Sequence, residues 1–201
     1  MRGKLRNILG IILILFGISL IGATIWMKYD TNRKQAEMLE SFKNINFDDE
    51  SNINTNDNSG EIKKHEKSHH IINGKGFAIL EIPTLDLKVG IVQGVEIKDI
   101  KYNVGHFPES AMPGEKGNFA IAGHRVSYFG EPFKEIDKLE KGDKVYVTYN
   151  GHKYTYEVEY MYEVTPNQTE SLKQTEDATI TIVTCTIGAK KRVIVKGKLV
   201  E

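Results

Sequence analysis

The stretch Val145-Tyr-Val-Thr-Tyr-Asn-Gly-His-Lys-Tyr-Thr-Tyr-Glu-Val-Glu-Tyr-Met-Tyr-Glu-Val164 carries the clearest local signal in the chain. Val145, Val147 and Tyr149 alternate with polar residues. Beyond Asn150-Gly151, Tyr154, Tyr156, Val158, Tyr160, Tyr162 and Val164 alternate strictly with Lys153, Thr155, Glu157, Glu159, Met161 and Glu163. A period of two puts the two sets on opposite faces of an extended strand. Asn-Gly between two such runs suits a tight turn with two positive φ angles, so the stretch predicts a β-hairpin.

The same reading extends in both directions. Phe77–Ile82, ended by Pro83, and Leu87–Val92 read as strands, and Asn118–Ala122 is a short apolar strand ending at Gly123-His124-Arg125. Glu96–Tyr102 suits one or two helical turns, and Val104–Gly117, with Pro108 and Pro113, reads as a long surface loop. Phe133, Ile136 and Leu139 fall at helical spacing, which predicts a short surface helix over Glu131–Leu139. After a loop from Thr165 to Ala178, the unbroken β-branched run Thr179–Thr184 delivers Cys185 at a strand end, and Arg192–Val200 forms the last strand. If these two strands are neighbours, Cys185 and Arg192 face each other across their ends. About eight short strands with few helices predict an all-β fold, an eight-stranded barrel whose closure removes sheet edges; a sandwich fits the same periodicity.

The N-terminal part differs in kind. Ile8–Met27 is free of charged residues over about the 20 residues that a membrane-spanning helix needs. It is too long and too poor in small residues for a cleaved signal peptide, and no other segment could bury a helix that is apolar on all sides. Arg2, Lys4 and Arg6 precede it, and Lys28, Arg33 and Lys34 follow. Asp30 and the free amino terminus tip this weak asymmetry toward an inside N-terminus and an extracytoplasmic remainder. Residues 28–73 are polar and lack apolar clustering, so they read as a helical extension of the anchor to about Glu40, then a flexible spacer. His65, His69 and His70 lie in that spacer and read as solvated rather than as metal ligands. The expected organisation is thus 1–7 cytoplasmic, 8–27 transmembrane, 28–73 linker and 74–201 folded domain.

Composition narrows the chemistry. The 27 Lys and Arg balance the 27 Asp and Glu, with no basic stripe, so nucleic acid has no support as a partner. The single cysteine cannot form an internal disulfide, which in an exported chain leaves an inert buried thiol or a reactive one. A reactive thiol needs a base or a cationic neighbour. His106, His124 and His152 lie in the folded part; His152 belongs to the hairpin turn, and His124 is favoured over His106 because a strand end holds a group more rigidly than a loop. Arg192, seven residues beyond Cys185, is placed to meet a developing oxyanion. Arg125, pointing to the opposite face from His124, reads as a surface residue.

Thr181-Ile-Val-Thr-Cys185 with Arg192 downstream, and Asn118-Phe-Ala-Ile-Ala-Gly-His124 upstream, resembles the signature of the sortases, and the resemblance covers the domain from Gly76 to Val200 with its anchor and spacer. It implies the eight-stranded sortase barrel, with Cys185, His124 and Arg192 as catalytic residues and Thr184 helping to hold the substrate threonine carbonyl. The Gly105–Asn118 stretch is most similar to class D members. The family requires no cofactor; some members bind calcium near the loop before the cysteine strand, where Glu170, Glu176 and Asp177 read here as solvated charges. The implied function is that of a single-pass, membrane-anchored cysteine transpeptidase outside a bacterial cell. It would cleave a Leu-Pro-x-Thr type sorting signal on surface proteins and join them to a cell-wall amine through a Cys185 thioester. A surface cysteine endopeptidase and a non-catalytic anchored binding module are the alternatives.

Overall fold

The computed structural model describes residues 2–43, 76–127 and 130–201. The spacer histidines His65, His69 and His70 lie outside the described residues. One helix, α1 (Arg2–Lys43), contains an apolar stretch, Leu9–Asp30, that is long and apolar enough to cross a membrane, and none of it is buried against the rest of the chain.

Eight strands follow: β1 (Gly76–Ile82), β2 (Leu87–Gln93), β3 (Val104–His106), β4 (Gly117–Ala122), β5 (Lys144–Tyr149), β6 (His152–Val164), β7 (Ala178–Cys185) and β8 (Arg192–Leu199). They close into a barrel in the order β1-β2-β3-β4-β7-β8-β6-β5, so the barrel rather than the sandwich is realised. The pairs β2–β3 and β4–β7 are parallel and the others antiparallel. Inward-facing Leu80, Ile91, Phe119, Val147, Tyr156, Ile180, Ile182 and Val195 fill the interior and are almost entirely excluded from solvent. The β5–β6 hairpin turns at Asn150 (φ 48°) and Gly151 (φ 76°), the positive-φ pair that its sequence predicts.

Four expectations are corrected. First, Val104–Gly117 is not wholly surface loop, because its first three residues form β3, buried between β2 and β4. Three residues are too few to show a period, and Gly105 is there because a Cβ would lie 2.1 Å from the Gly94 carbonyl oxygen. Second, Glu131–Leu139 is a chain of turns with one 3-10 turn at Ile136–Lys138. Bonds from Lys134 N–H to Glu131 O, Ile136 N–H to Phe133 O and Lys138 N–H to Glu135 O all span three residues. A spacing of three is the 3-10 period itself, so Phe133, Ile136 and Leu139 still share one buried edge. Burial of each is worth roughly 1.5–3 kcal/mol.

Third, β6 does not alternate strictly. An irregularity between Val158 and Tyr160 adds a residue opposite β8, so Val158 stays inside, Tyr160 is 55% exposed and Met161 packs on the core. Fourth, Arg125 is not a surface residue. Only 5% of it is exposed, and its guanidinium pairs with Asp137.

Candidate active site

The strand ladder determines which side chains meet outside the barrel. Ala120, Ala122, Thr181 and Val183 have outward parity, because Ile180 and Ile182 point into the core. Ala120 pairs with Thr181 and Ala122 with Val183 in the parallel β4–β7 ladder. Beyond the strand end the two chains stay together: Gly123 N–H donates to Val183 O at 3.1 Å, and Thr184 Oγ1–H donates to Gly123 O at 2.9 Å. Continued by two residues, this register brings His124 level with Cys185. On the other side, Cys185 pairs with Arg192 in the last rung of the β7–β8 ladder. Directly paired residues share a face. His124, Cys185 and Arg192 therefore end three adjacent strands on one outer face, at the head of a floor of small and apolar side chains, Ala120, Ala122, Val183 and Ile194.

Local structure keeps each of them in position. Past the last rung, Thr186 N–H donates to Lys191 O and Lys191 N–H to Thr186 Oγ1, both at 3.0 Å, while the turn between them uses positive φ at Gly188 and Ala189. Cys185 and Arg192 are thus held from both sides. After His124 the chain folds back, with Phe133 N–H donating to the His124 carbonyl at 3.2 Å. Gly123 permits this, since a Cβ there would lie 2.7 Å from the Phe133 ring. Cys185 and Arg192 are half-buried, as is His124. Partial burial lowers the affinity of the His124 imidazole for a proton, so that it is neutral at neutral pH and able to take one from a thiol.

The other histidines have different surroundings. His106 is fully buried; its Nε2–H donates to Ala111 O at 3.1 Å with Ser110 Oγ 2.8 Å from the same nitrogen, and Nδ1 lies 2.9 Å from the Gln93 side-chain oxygen. The ring stacks on Phe119 at 5.1 Å and meets the edge of Phe77 at 5.5 Å. Burial pushes its pKa down. Both ring nitrogens lie within hydrogen-bond distance of groups of the fold. His152 is exposed, 3.0 Å from Asn150 O, beside the hairpin turn.

Thr184 differs from what the resemblance implies. It is 3% exposed and faces inward, with its only O–H given to the Gly123 carbonyl. In this arrangement it has no donor left for a substrate carbonyl, and it ties the cysteine strand to the histidine strand instead.

A model of the sortase domain matches residues 80–200 of this chain. The chain belongs to the sortase family. Among its relatives, Sortase A of Bacillus anthracis is 29% identical over 99% of this sortase and 96% of its own length. Sortase SrtE1 of Streptomyces coelicolor is 39% identical over 64% of this chain, which spans 41% of that relative. Among solved structures, a Sortase D5 transpeptidase of Clostridium perfringens is 40% identical with a TM-score of 0.61, covering 65% of this chain and 82% of that one. The sortase described here is accordingly a cysteine transpeptidase of the family type.

One further cluster on the same outer face escaped the sequence reading. Lys196, paired with Thr181 across β7–β8, donates from Nζ to Thr181 Oγ1 and to Ser171 O, both at 2.6 Å. Thr181 donates to Asn118 Oδ1 at 2.5 Å, and Asn118 Nδ2 donates to Ser171 O at 2.9 Å and Lys173 O at 3.1 Å. The 165–177 loop is thereby fastened over the far end of the outer face. Of the loop acids, Asp177 pairs with Lys198 at 2.9 Å, and no group of three potential metal ligands converges among the described residues.

Proposed function

We propose that this sortase is a membrane-anchored transpeptidase that cleaves a Leu-Pro-x-Thr type sorting signal after the threonine, holds the acyl chain on Cys185 as a thioester, and passes it to an amine of a cell-wall precursor. The observation that carries this reading is the shared outer face of His124, Cys185 and Arg192 at the ends of β4, β7 and β8. A C. perfringens sortase C of 26% identity was solved with the C-terminal cell wall sorting motif, which supports that substrate class.

The chemistry assigned to each residue follows from its position. As the Cys185 sulfur attacks the threonine carbonyl carbon, the neutral His124 imidazole takes the thiol proton and later gives it to the leaving amine. The Arg192 fork faces the oxygen where negative charge develops. The thioester then yields to an amine: a C–N bond forms, the C–S bond breaks, and the amine's proton returns through His124 to sulfur. Residues 8–27 of the apolar helix are the anchor in this scheme, with residues 1–7 inside the cell, residues 28–73 as the linker and the domain from residue 74 outside.

The test is product analysis by mass spectrometry, using the full-length chain in detergent with a synthetic sorting peptide and several amines, glycine peptides and diaminopimelate-containing fragments among them. Slow hydrolysis alone, diverted to amide by at least one amine, is expected. Rapid hydrolysis with no amide from any of them would instead favour a cysteine endopeptidase.

A further inference from the structure

A cleft of about 490 Å³ opens beside His124, and among the described residues its lining is His124, Val126, Ser127 and Glu131. Neither Cys185 nor Arg192 is in that lining. His124 thus borders this cleft and, by the β4–β7 register, also stands level with Cys185. A transfer reaction needs such an arrangement, because the acyl donor occupies the space over Cys185 while the second substrate must reach the same histidine by another route.

Its charge is suited to one class of ligand. Glu131 is brought next to His124 by the bond from Phe133 N–H to the His124 carbonyl. Its carboxylate, 33% exposed, pairs at 3.0 Å with Lys134, which is 64% exposed. So solvated a lysine contributes little to the pair, and its place on the carboxylate can be taken by another cation at small cost. Arg125 does not compete, since it is buried and its guanidinium pairs with Asp137. Val126, 67% exposed, gives the cleft an apolar rim for the carbon chain of such a ligand.

We propose that this cleft is the acceptor subsite, in which the Glu131 carboxylate receives the ammonium group of an incoming primary amine and delivers it to His124. The proposal rests on the transpeptidase reading. The bound ammonium sheds one proton to water; the neutral amine attacks the thioester carbonyl, C–N forms as C–S breaks, and the second proton passes through His124 to the Cys185 sulfur. Glu131 takes no part in bond making and acts as a recognition residue for charge.

The experiment compares two nucleophiles that differ in charge at pH 7, triglycine, whose terminus is an ammonium, and hydroxylamine, which is neutral. Full-length chain in detergent is given a synthetic sorting peptide with increasing amounts of either, and the ratio of captured product to hydrolysed acid is read by mass spectrometry. For Glu131→Gln, the triglycine concentration giving equal amide and acid should rise roughly three- to tenfold, the worth of one partly exposed charged contact, while the hydroxamate-to-acid ratio is kept. Val126→Glu, on an exposed rim position, should lower the triglycine requirement. An equal loss with both nucleophiles would overturn the subsite by showing that Glu131 acts on the dyad or the loop, and so would no loss with either. If wild-type chain forms hydroxamate but no amide, the subsite fails and the thioester stands; if it forms neither, the transpeptidase reading fails first.

Discussion

Cys185 and Arg192 form the last rung between β7 and β8, so their side chains leave the sheet on one face with the Thr186–Lys191 turn closing directly beyond them. A contact organised in this way depends on the shape of the cation as well as on its charge. Arg192→Lys keeps the charge but loses the planar two-donor fork. Turnover of a sorting peptide is expected to fall about 10²–10³-fold, the usual effect of losing one oxyanion donor. A lysine variant within a few-fold of wild type would reduce Arg192 to a nearby positive charge.

His106 and His124 should separate cleanly by substitution. His124→Ala removes the imidazole that, among the described residues, stands level with Cys185, and should cost about a hundredfold to ten-thousandfold in kcat/KM. His106→Ala opens a hole beneath Phe119 and Phe77, and its effect should be on thermal stability, with much more of the activity kept at temperatures where the variant is folded. Melting curves and peptide kinetics on both variants check this, and the reverse ranking would reassign the base.

His106 should also make the fold sensitive to acid. Burial lowers its pKa in the folded chain, so between that value and about 6.5 the unfolded chain binds the extra proton and the folded one does not. Stability from this group is present above the ordinary histidine pKa and is lost as pH falls toward the folded value. Denaturant unfolding between pH 7.5 and 5 should show the decline, and His106→Gln, which has no proton to gain, should flatten that part of the curve. An unchanged slope would assign the decline to other groups.

Lys196 should act on the loop rather than on the barrel. Its half-buried ammonium has lost affinity for its proton through desolvation, yet it still bonds Ser171 O and Thr181 Oγ1. Replacing a desolvated charge by an apolar chain of similar length is often neutral for global stability, so Lys196→Met should melt within a few degrees of wild type. Amide hydrogen exchange over residues 165–177 should nonetheless quicken, and KM for the sorting peptide should rise more than kcat falls. Unchanged exchange in that loop would show that Asn118 holds it alone.

What the sequence made legible follows physical range. The β5–β6 hairpin and the cysteine strand were readable because alternation, Asn-Gly and β-branched runs are local signals. The expected pairing of Cys185 with Arg192 needed only that two consecutive strands be neighbours, and they are. By contrast, β3 is three residues long and owes its existence to partners on both sides, and the β6 irregularity appears only when β8 is laid against it. Arg125 was misread because the Asp137 that pairs with its buried guanidinium lies in a separate turn. Asn118, Ser171, Thr181 and Lys196 come from four distant segments, and no spacing rule links them. Thr184 was assigned by resemblance, whereas its hydrogen bond depends on the backbone of another strand.

The central claim is that Cys185 carries the acyl chain between two half-reactions, and intact-protein mass spectrometry tests it most directly. Full-length chain is mixed with excess sorting peptide, quenched in acid within seconds and weighed. The expected result is a species heavier than the free chain by the mass of the peptide up to its threonine, located on Cys185 by digestion, absent from Cys185→Ala and discharged by hydroxylamine. An adduct that persists in the alanine variant, or product formed at full rate with no adduct at any quench time in the wild type, would contradict it.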